Sequence, residues 1–407
     1  MTDTVCQVET FVLQAAPPDG RAYWGKSSWG STSNDRSRSL SASFPPQARR
    51  GSAYSETIDT CLVRLETQSG IVGWGEAKAP VTARATASII EDLLAPVILG
   101  SDPTNVRVLW EQMYATMHVR GHHSGFLLEA ISGLDLALWD LFGKICGLPV
   151  HRLLGGAFRE VVPVYASGLP ALFRGDDPSQ LDRLAQLAEG HVQNGFRAMK
   201  MAIGNGIEAD LRAVSAVRAV IGPEIGLFVD AAGSYAPAQA IRLGRGLEAL
   251  DVGFFELPIP SENVPGYQAV ASALDIPVAI DTLTNRHQVR DLMVVGGVDI
   301  VQPDLCRAGG LTESMRMADI ADVFGAAVAP HVSIGSGIQF AAALEFALAV
   351  PNLLISEYWI GDNPLGDTLL SKPMSTPIDG EIRRADDRPG LGIDVDEGAV
   401  RAMAASA

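Results

Sequence analysis

The chain has 407 residues, and 47 acidic against 31 basic side chains leave it at a net charge of −16. That balance argues against nucleic acid as a partner, and the length exceeds the roughly 250 residues of one barrel domain, leaving room for a second unit. Cys6, Cys61, Cys146 and Cys306 are scattered without metal-type spacing, the start lacks a secretory pattern and no apolar run is long enough for a bilayer; these features predict a soluble, cytoplasmic protein with no membrane contact.

Residues 3–14 read as a strand. Residues 57–68 read as a second strand, turned by Ser69-Gly70 into Ile71-Val72-Gly73-Trp74-Gly75-Glu76, which makes an antiparallel meander. Helical patterns follow at about 82–99, 103–118 and 125–146. The last is apolar on most faces and is expected to be buried. Between the first two strands lies a loop over 15–51, long enough to suggest a lid. It carries Arg21, Lys26, Arg36, Arg38, Arg49 and Arg50 against Asp19 and Asp35, a local balance of +4. Such a lid would attract a small acid; the plainer reading is a solvated surface loop.

From residue 162 onward the texture changes. Short β-branched runs end successively at Lys200, Asp230, Glu256, Asp281, Asp304, His331 and Glu357, with 23 to 30 residues between consecutive tips. The stretch Asp299-Ile300-Val301-Gln302-Pro303-Asp304, opening into Leu305-Cys306-Arg307-Ala308-Gly309-Gly310, is typical: a buried run, a carboxylate, then a Gly-rich turn. This period marks repeated βα units. With the run Val162-Pro163-Val164-Tyr165 there are eight strands, enough to close a barrel whose strand tips carry the chemistry.

Asp230, Glu256 and Asp281 end three consecutive strands, spaced at ~4.8 Å from one strand to the next. Three carboxylates in one mouth repel unless a cation lies between them, and oxygen-only ligands suit a hard ion such as Mg²⁺. Each could instead merely cap the helix that follows. Asp304 and His331 end neighbouring strands, and a carboxylate beside an imidazole fixes its tautomer and raises its basicity, as a general base requires.

Taken together, Gly195-Phe196-Arg197-Ala198-Met199-Lys200, Phe228-Val229-Asp230, Phe254-Phe255-Glu256-Leu257-Pro258, the stretch Asp299 to Gly310 and Ala329-Pro330-His331 resemble the enolase superfamily, mandelate racemase subgroup. The similarity runs from Gly73-Trp74-Gly75-Glu76 to Pro389-Gly390-Leu391-Gly392. It implies an α/β fold: a modified TIM barrel, (β/α)₇β, over residues 129–365, under an N-terminal α+β capping domain, residues 1–128, completed by the C-terminal segment 366–407. It also implies Mg²⁺ on Asp230, Glu256 and Asp281, and removal of the proton α to a carboxylate. On this resemblance Lys200 contacts the substrate carboxylate, Asp304 and His331 form the catalytic dyad, and a protonated Glu357 donates to the charged oxygen. Trp24 in the lid and the pair His122-His123 are further substrate-binding candidates. Relatives often form dimers or octamers, so a homo-oligomer is implied as well.

Three departures stand out. Ala202 occupies the position where the family usually has a second lysine, Leu257 follows Glu256 where an acid or Gln is common, and Thr282 follows Asp281. Residues 200 and 202 face the same side of a strand, so Ala202 leaves that side without its expected base. Racemisation needs proton-transfer groups on both faces of the α-carbon, whereas one imidazole suffices for dehydration. The expectation is a Mg²⁺-dependent dehydratase of an acid sugar. A cycloisomerase of a sugar lactone or anhydro-sugar acid is the second reading and a racemase or epimerase the third. A non-catalytic sugar-acid binder is the reading from another class, and it would leave the α-proton unexchanged.

Overall fold

The computed structural model describes residues 3–16, 30–32, 52–55, 57–78, 80–170, 178–361, 363–384 and 386–406. Most of the loop 15–51, including Trp24, therefore lies outside the described residues; of it, Gly30–Thr32 (β2) pairs in parallel with Ser52–Tyr54 (β3). The cap is built on an antiparallel sheet in the order Val5–Ala15 (β1), Ile58–Thr67 (β4) and Val72–Ala77 (β5). The long helix Phe126–Cys146 lies across β5. Its approach explains the Gly-Trp-Gly of that strand: a Cβ at Gly73 or Gly75 would strike the helix backbone at Ala137 or Gly133. Because this helix runs through residue 128, cap and barrel share it.

Eight parallel strands form the barrel: Val161–Leu169 (β6), Ala198–Ala202 (β7), Gly226–Asp230 (β8), Phe254–Glu256 (β9), Val278–Ile280 (β10), Ile300–Val301 (β11), Ala327–Val328 (β12) and Ser356–Trp359 (β13). A helix follows each of the first seven strands, which is the (β/α)₇β pattern. The circle closes where β13 pairs with β6 and where Val328 bridges Leu353 beside β12. Strands β11 and β12 are only two residues long because Pro303 and Pro330 follow within two positions, and proline has no N–H for the ladder. Asp304 and His331 thus stand on loops just past their strands.

The C-terminal segment touches both layers. Glu381–Arg383 (β14) pairs antiparallel with β6, while the helix Glu397–Ala404 packs on β1, and Arg64 of the neighbouring strand β4 donates through Nε to Glu397 at 3.1 Å. Among the described residues no helix is long and apolar enough to cross a membrane.

The barrel interior is filled at one level by Tyr165, Ala198, Phe254, Ala279, Ile300 and Ala329, with Phe228 and Ile355 packed against them. Phe228 and Phe254 stack at 4.1 Å between ring centroids, and Tyr165 meets Phe228 edge-on at 5.4 Å. The three rings pack with Ala and Ile side chains from the other strands, so the level is solid. It is the floor of the site.

Candidate active site

Side chains two residues apart on a strand face the same way. Two positions beyond each floor residue the chain reads Ser167, Lys200, Asp230, Glu256, Asp281, Gln302, His331 and Glu357, one polar residue from every strand. An apolar plug therefore carries a polar rung at the C-terminal ends of the strands, where barrel chemistry resides. Register places Ala202, Asp230 and Glu256 abreast on three adjacent strands.

On one side of the rung, Lys200 Nζ donates to Glu256 Oε2 at 2.8 Å and lies 3.1 Å from Glu357 Oε1. The lysine is 5% exposed. Burial opposes its charge, but Glu256 and then Glu357 outweigh burial and hold the ammonium well above its ordinary value. Gln302 Nε2 also donates to Glu256 Oε2, at 2.8 Å. For Glu357, too, burial is overridden: Lys200 and His331 draw its carboxyl below the usual range, and it accepts from Val332 N at 2.6 Å. Without substrate, the Lys200 ammonium and the Val332 N–H both face the Glu357 carboxylate.

On the other side, His331 Nδ1 lies 3.0 Å from Asp304 Oδ2. Burial would raise the carboxyl of Asp304, yet Lys78 first and then His331 take it below the usual carboxylate range. With Asp304 ionised, Nδ1 carries the proton and donates, so Nε2 is left as the acceptor. Nε2 points at the rung, 3.7 Å from Asp281 Oδ2 and 3.8 Å from Glu357 Oε2. Burial disfavours charge on this ring, but Glu357, the Asp304 hydrogen bond and Asp281 hold the imidazole above its ordinary value. It can take up a proton.

Glu256, Asp281 and His331 each bring one ligand atom to within 4.8 Å of the others. The residues fit a bound cation in a second respect: the buried oxygens Glu256 Oε1 and Asp281 Oδ1 have no hydrogen-bond partner among the described residues. Burial, then repulsion from Glu256, push Asp230 well above its ordinary value, and burial raises Glu256 against the pull of Lys200. A cation would relieve both. Asp230 stands beside Glu256 in register and accepts from Ala232 N at 2.8 Å through one oxygen, leaving the other for a ligand.

The description "Enolase C-terminal domain-like" matches residues 183–399, and "Mandelate racemase / muconate lactonizing enzyme, N-terminal domain" matches 42–155. The chain belongs to the enolase superfamily. Within it the similarity is to the mandelate racemase and muconate lactonizing subgroup. A D-galactarolactone cycloisomerase from Agrobacterium fabrum is 36% identical over 83% of this chain and 89% of its own. An arabinonate dehydratase from Saccharolobus solfataricus is 33% identical over 84% and 89%. Among solved structures, an enolase superfamily member from Agrobacterium tumefaciens superposes with a TM-score of 0.85 at 28% identity, covering 98% and 99% of the two chains. The 3,6-anhydro-D-galactonate cycloisomerase of Zobellia galactanivorans does so with 0.82 at 29%, again over 98% and 99%.

The rung gathers Lys200, Asp230, Glu256, Asp281, His331 and Glu357, with Asp304 one shell behind His331. The side chains of His122 and His123 are exposed, and the backbone of His123 is tied to the barrel rim, its carbonyl accepting from Asn285 Nδ2 at 3.1 Å. Three contributors escaped the sequence reading. Ser167 and Gln302 carried a usable signal, because each lies two residues beyond an apolar floor position. Lys78 is 2% exposed and contacts Asp304 at 3.5 Å from the cap, more than two hundred residues away in sequence. No local pattern announces it.

Proposed function

We propose that this enolase-superfamily enzyme removes the proton α to the carboxylate of an acid sugar and eliminates a β-hydroxyl, giving a 2-keto-3-deoxy acid. The observation that carries the reading is the one-sided arrangement of the rung. His331 Nε2 is an oriented acceptor backed by Asp304, whereas across the rung the position two beyond Lys200 is Ala202, 3% exposed and without a proton-transfer group.

In this reading Asp230, Glu256 and Asp281 hold Mg²⁺, since a hard ion prefers three carboxylate oxygens and the base must stay uncoordinated to work. Mg²⁺, when bound, supplies positive charge against the negative charge that develops on the substrate carboxylate. The chain's own groups do the rest. Nε2 of His331 takes the α-proton, and the C–H electron pair moves toward the carboxylate. The pair then returns to form a carbon–carbon double bond as the β-C–O bond breaks. The departing hydroxide takes the proton from Nε2–H and leaves as water, so the imidazole is regenerated and the enol product ketonises. Ion-paired as it is, Lys200 serves orientation and charge balance at the carboxylate end.

Cycloisomerisation of a sugar lactone is the second reading, favoured by the 36% identity to the galactarolactone enzyme; it too needs only one base. The test is a panel of aldonic and aldaric acids and their lactones incubated with Mg²⁺. Formation of a 2-keto acid from an open acid supports dehydration, and turnover of lactones alone supports cycloisomerisation. A panel in which no α-proton is exchanged for deuterium would sink both.

A further inference from the structure

The carboxylate that orients His331 is itself held from the cap. Strand β5 ends Gly75-Glu76-Ala77, and Lys78 follows, so Glu76 and Lys78 lie two residues apart at the point where the cap enters the barrel rim. Glu76 is fully buried and accepts from Thr60 Oγ1 at 2.7 Å, from Ser336 N and Oγ, and from Gln339 N at 3.2 Å. Gln339 turns its side chain the other way, Nε2 donating to Asp304 Oδ1 at 3.0 Å. Lys78 completes the circuit. Its Nζ is 3.5 Å from Asp304 Oδ2 and hydrogen-bonds Ser333 Oγ, while its backbone N–H donates to Cys306 O at 3.1 Å.

Asp304 thus has donors at both oxygens: Cys306 N and Gln339 Nε2 at Oδ1, His331 Nδ1 and Lys78 Nζ at Oδ2. A carboxylate has about four lone-pair sites, and four directed partners leave it no freedom to swing. We propose that Lys78 is a positioning residue for the Asp304–His331 pair: the cap-borne ammonium fixes Oδ2, and through it the imidazole plane and the direction of Nε2. Ser333, two residues after His331 on the same loop, ties that ammonium to the segment it organises. The backbone of Lys78 already ties cap to barrel at Cys306 O, and the ammonium adds a contact to the very carboxylate that faces His331 Nδ1. The proposal rests on the reading of His331 as the base, so its test has one arm that needs no substrate.

In metal-loaded, ¹⁵N-histidine-labelled enzyme the Nδ1–H proton of His331 should give a downfield resonance, identified by its loss in His331→Asn. Lys78→Met should shift or broaden it, and Lys78→Arg, which keeps the charge, should restore most of it. With a turned-over substrate, Lys78→Met should lower kcat by roughly 10–100-fold, the range typical of outer partners that orient a functional group, with KM nearly unchanged. Should Lys78→Met not fold, Ser333→Ala, which removes one of the ammonium's two side-chain partners and leaves the Asp304 contact, is read in the same way and should move the resonance less. A resonance and kcat that stay at wild type in a folded variant, with only the melting temperature lowered, overturn the proposal and leave Lys78 a staple. A shifted resonance with no acid sugar processed keeps Lys78 as the orienting group and overturns the dehydratase reading instead.

Discussion

On one side of the polar rung, Lys200 lies between two carboxylates at 2.8 and 3.1 Å, so its ammonium is engaged on both sides. On the other, His331 spends one nitrogen on Asp304 at 3.0 Å and presents the second to the rung, more than 3.5 Å from either neighbouring carboxylate. Both sides are buried and both mix an acid with a base. The difference is geometric. Charges that face each other directly neutralise each other, whereas a partner placed behind the reacting atom orients it and leaves it available. On the proposed reading, reactivity at this rung follows from where the counter-charge is put.

The largest test of that contrast removes the available nitrogen. His331→Asn should cost ~10²–10⁴-fold in turnover and in α-proton exchange in D₂O, the range for general acid–base catalysis. Asp304→Asn should be impaired as well, because the orienting charge is gone. Proton NMR of the substrate in D₂O reads both, and near-wild-type exchange in His331→Asn would return the role of base to the Lys200 side.

Next in size is the cation. Chelation should abolish turnover and added Mg²⁺ should restore it, while calorimetry on Asp230→Asn and Glu256→Gln should show weakened Mg²⁺ binding. Unchanged affinity in both variants would place the ion elsewhere.

Lys200→Met sharpens the comparison from the occupied side. Breaking a buried ion pair by removing one partner typically costs ~3–5 kcal/mol, so the metal-free variant should melt well below the wild type. Because a divalent cation can replace the lost charge, Mg²⁺ should raise the variant's melting temperature more than the wild type's. Equal shifts would show that Lys200 and the metal do not share carboxylates.

The smallest effect concerns the support under Asp304. Asp135, fully buried on the long helix, accepts from Thr312 N and Oγ1 at 3.0 and 2.6 Å and so holds the first turn of the helix Gly310–Val323, which follows the Asp304 loop. Burial pushes its carboxyl up to about 7, against those hydrogen bonds. A folded value raised above the unfolded one means a contribution complete below about pH 4 and lost as pH rises through 7. Stability should therefore fall over that window by the order of a few kcal/mol, at ~1.4 kcal/mol per unit. Asp135→Asn should flatten the slope in denaturant titrations run at several pH values; an unaltered slope would assign it to other groups.

Much of this was legible from one dimension. Strand tips recur at intervals that only a βα repeat produces, and a parallel strand buried on both faces reads as an apolar run. The eight strands and the ring of tip residues were therefore visible in the order of Lys200 through Glu357. The ends of β11 and β12 were less so, since Pro303 and Pro330 stop the ladder short of Asp304 and His331. Partner choice was not visible at all. That Lys200 would pair with Glu256 and Glu357, and Lys78 with Asp304, depends on distances across the barrel and between layers, which spacing along the chain does not encode. Ser167 and Gln302 fall between these cases: their inward phase was readable once the floor residues were known.

The stacked Phe228 and Phe254, with Tyr165 set edge-on, give the barrel a partition between two jobs. Below the aromatic plane, shape and volume decide whether the chain holds together; above it, a side chain can be exchanged without asking the plug to move. Ala202 illustrates the freedom, a methyl group at a strand end where the family resemblance implies a lysine. Packing of the plug and chemistry at the strand ends are thereby carried by separate sets of side chains on the same eight strands.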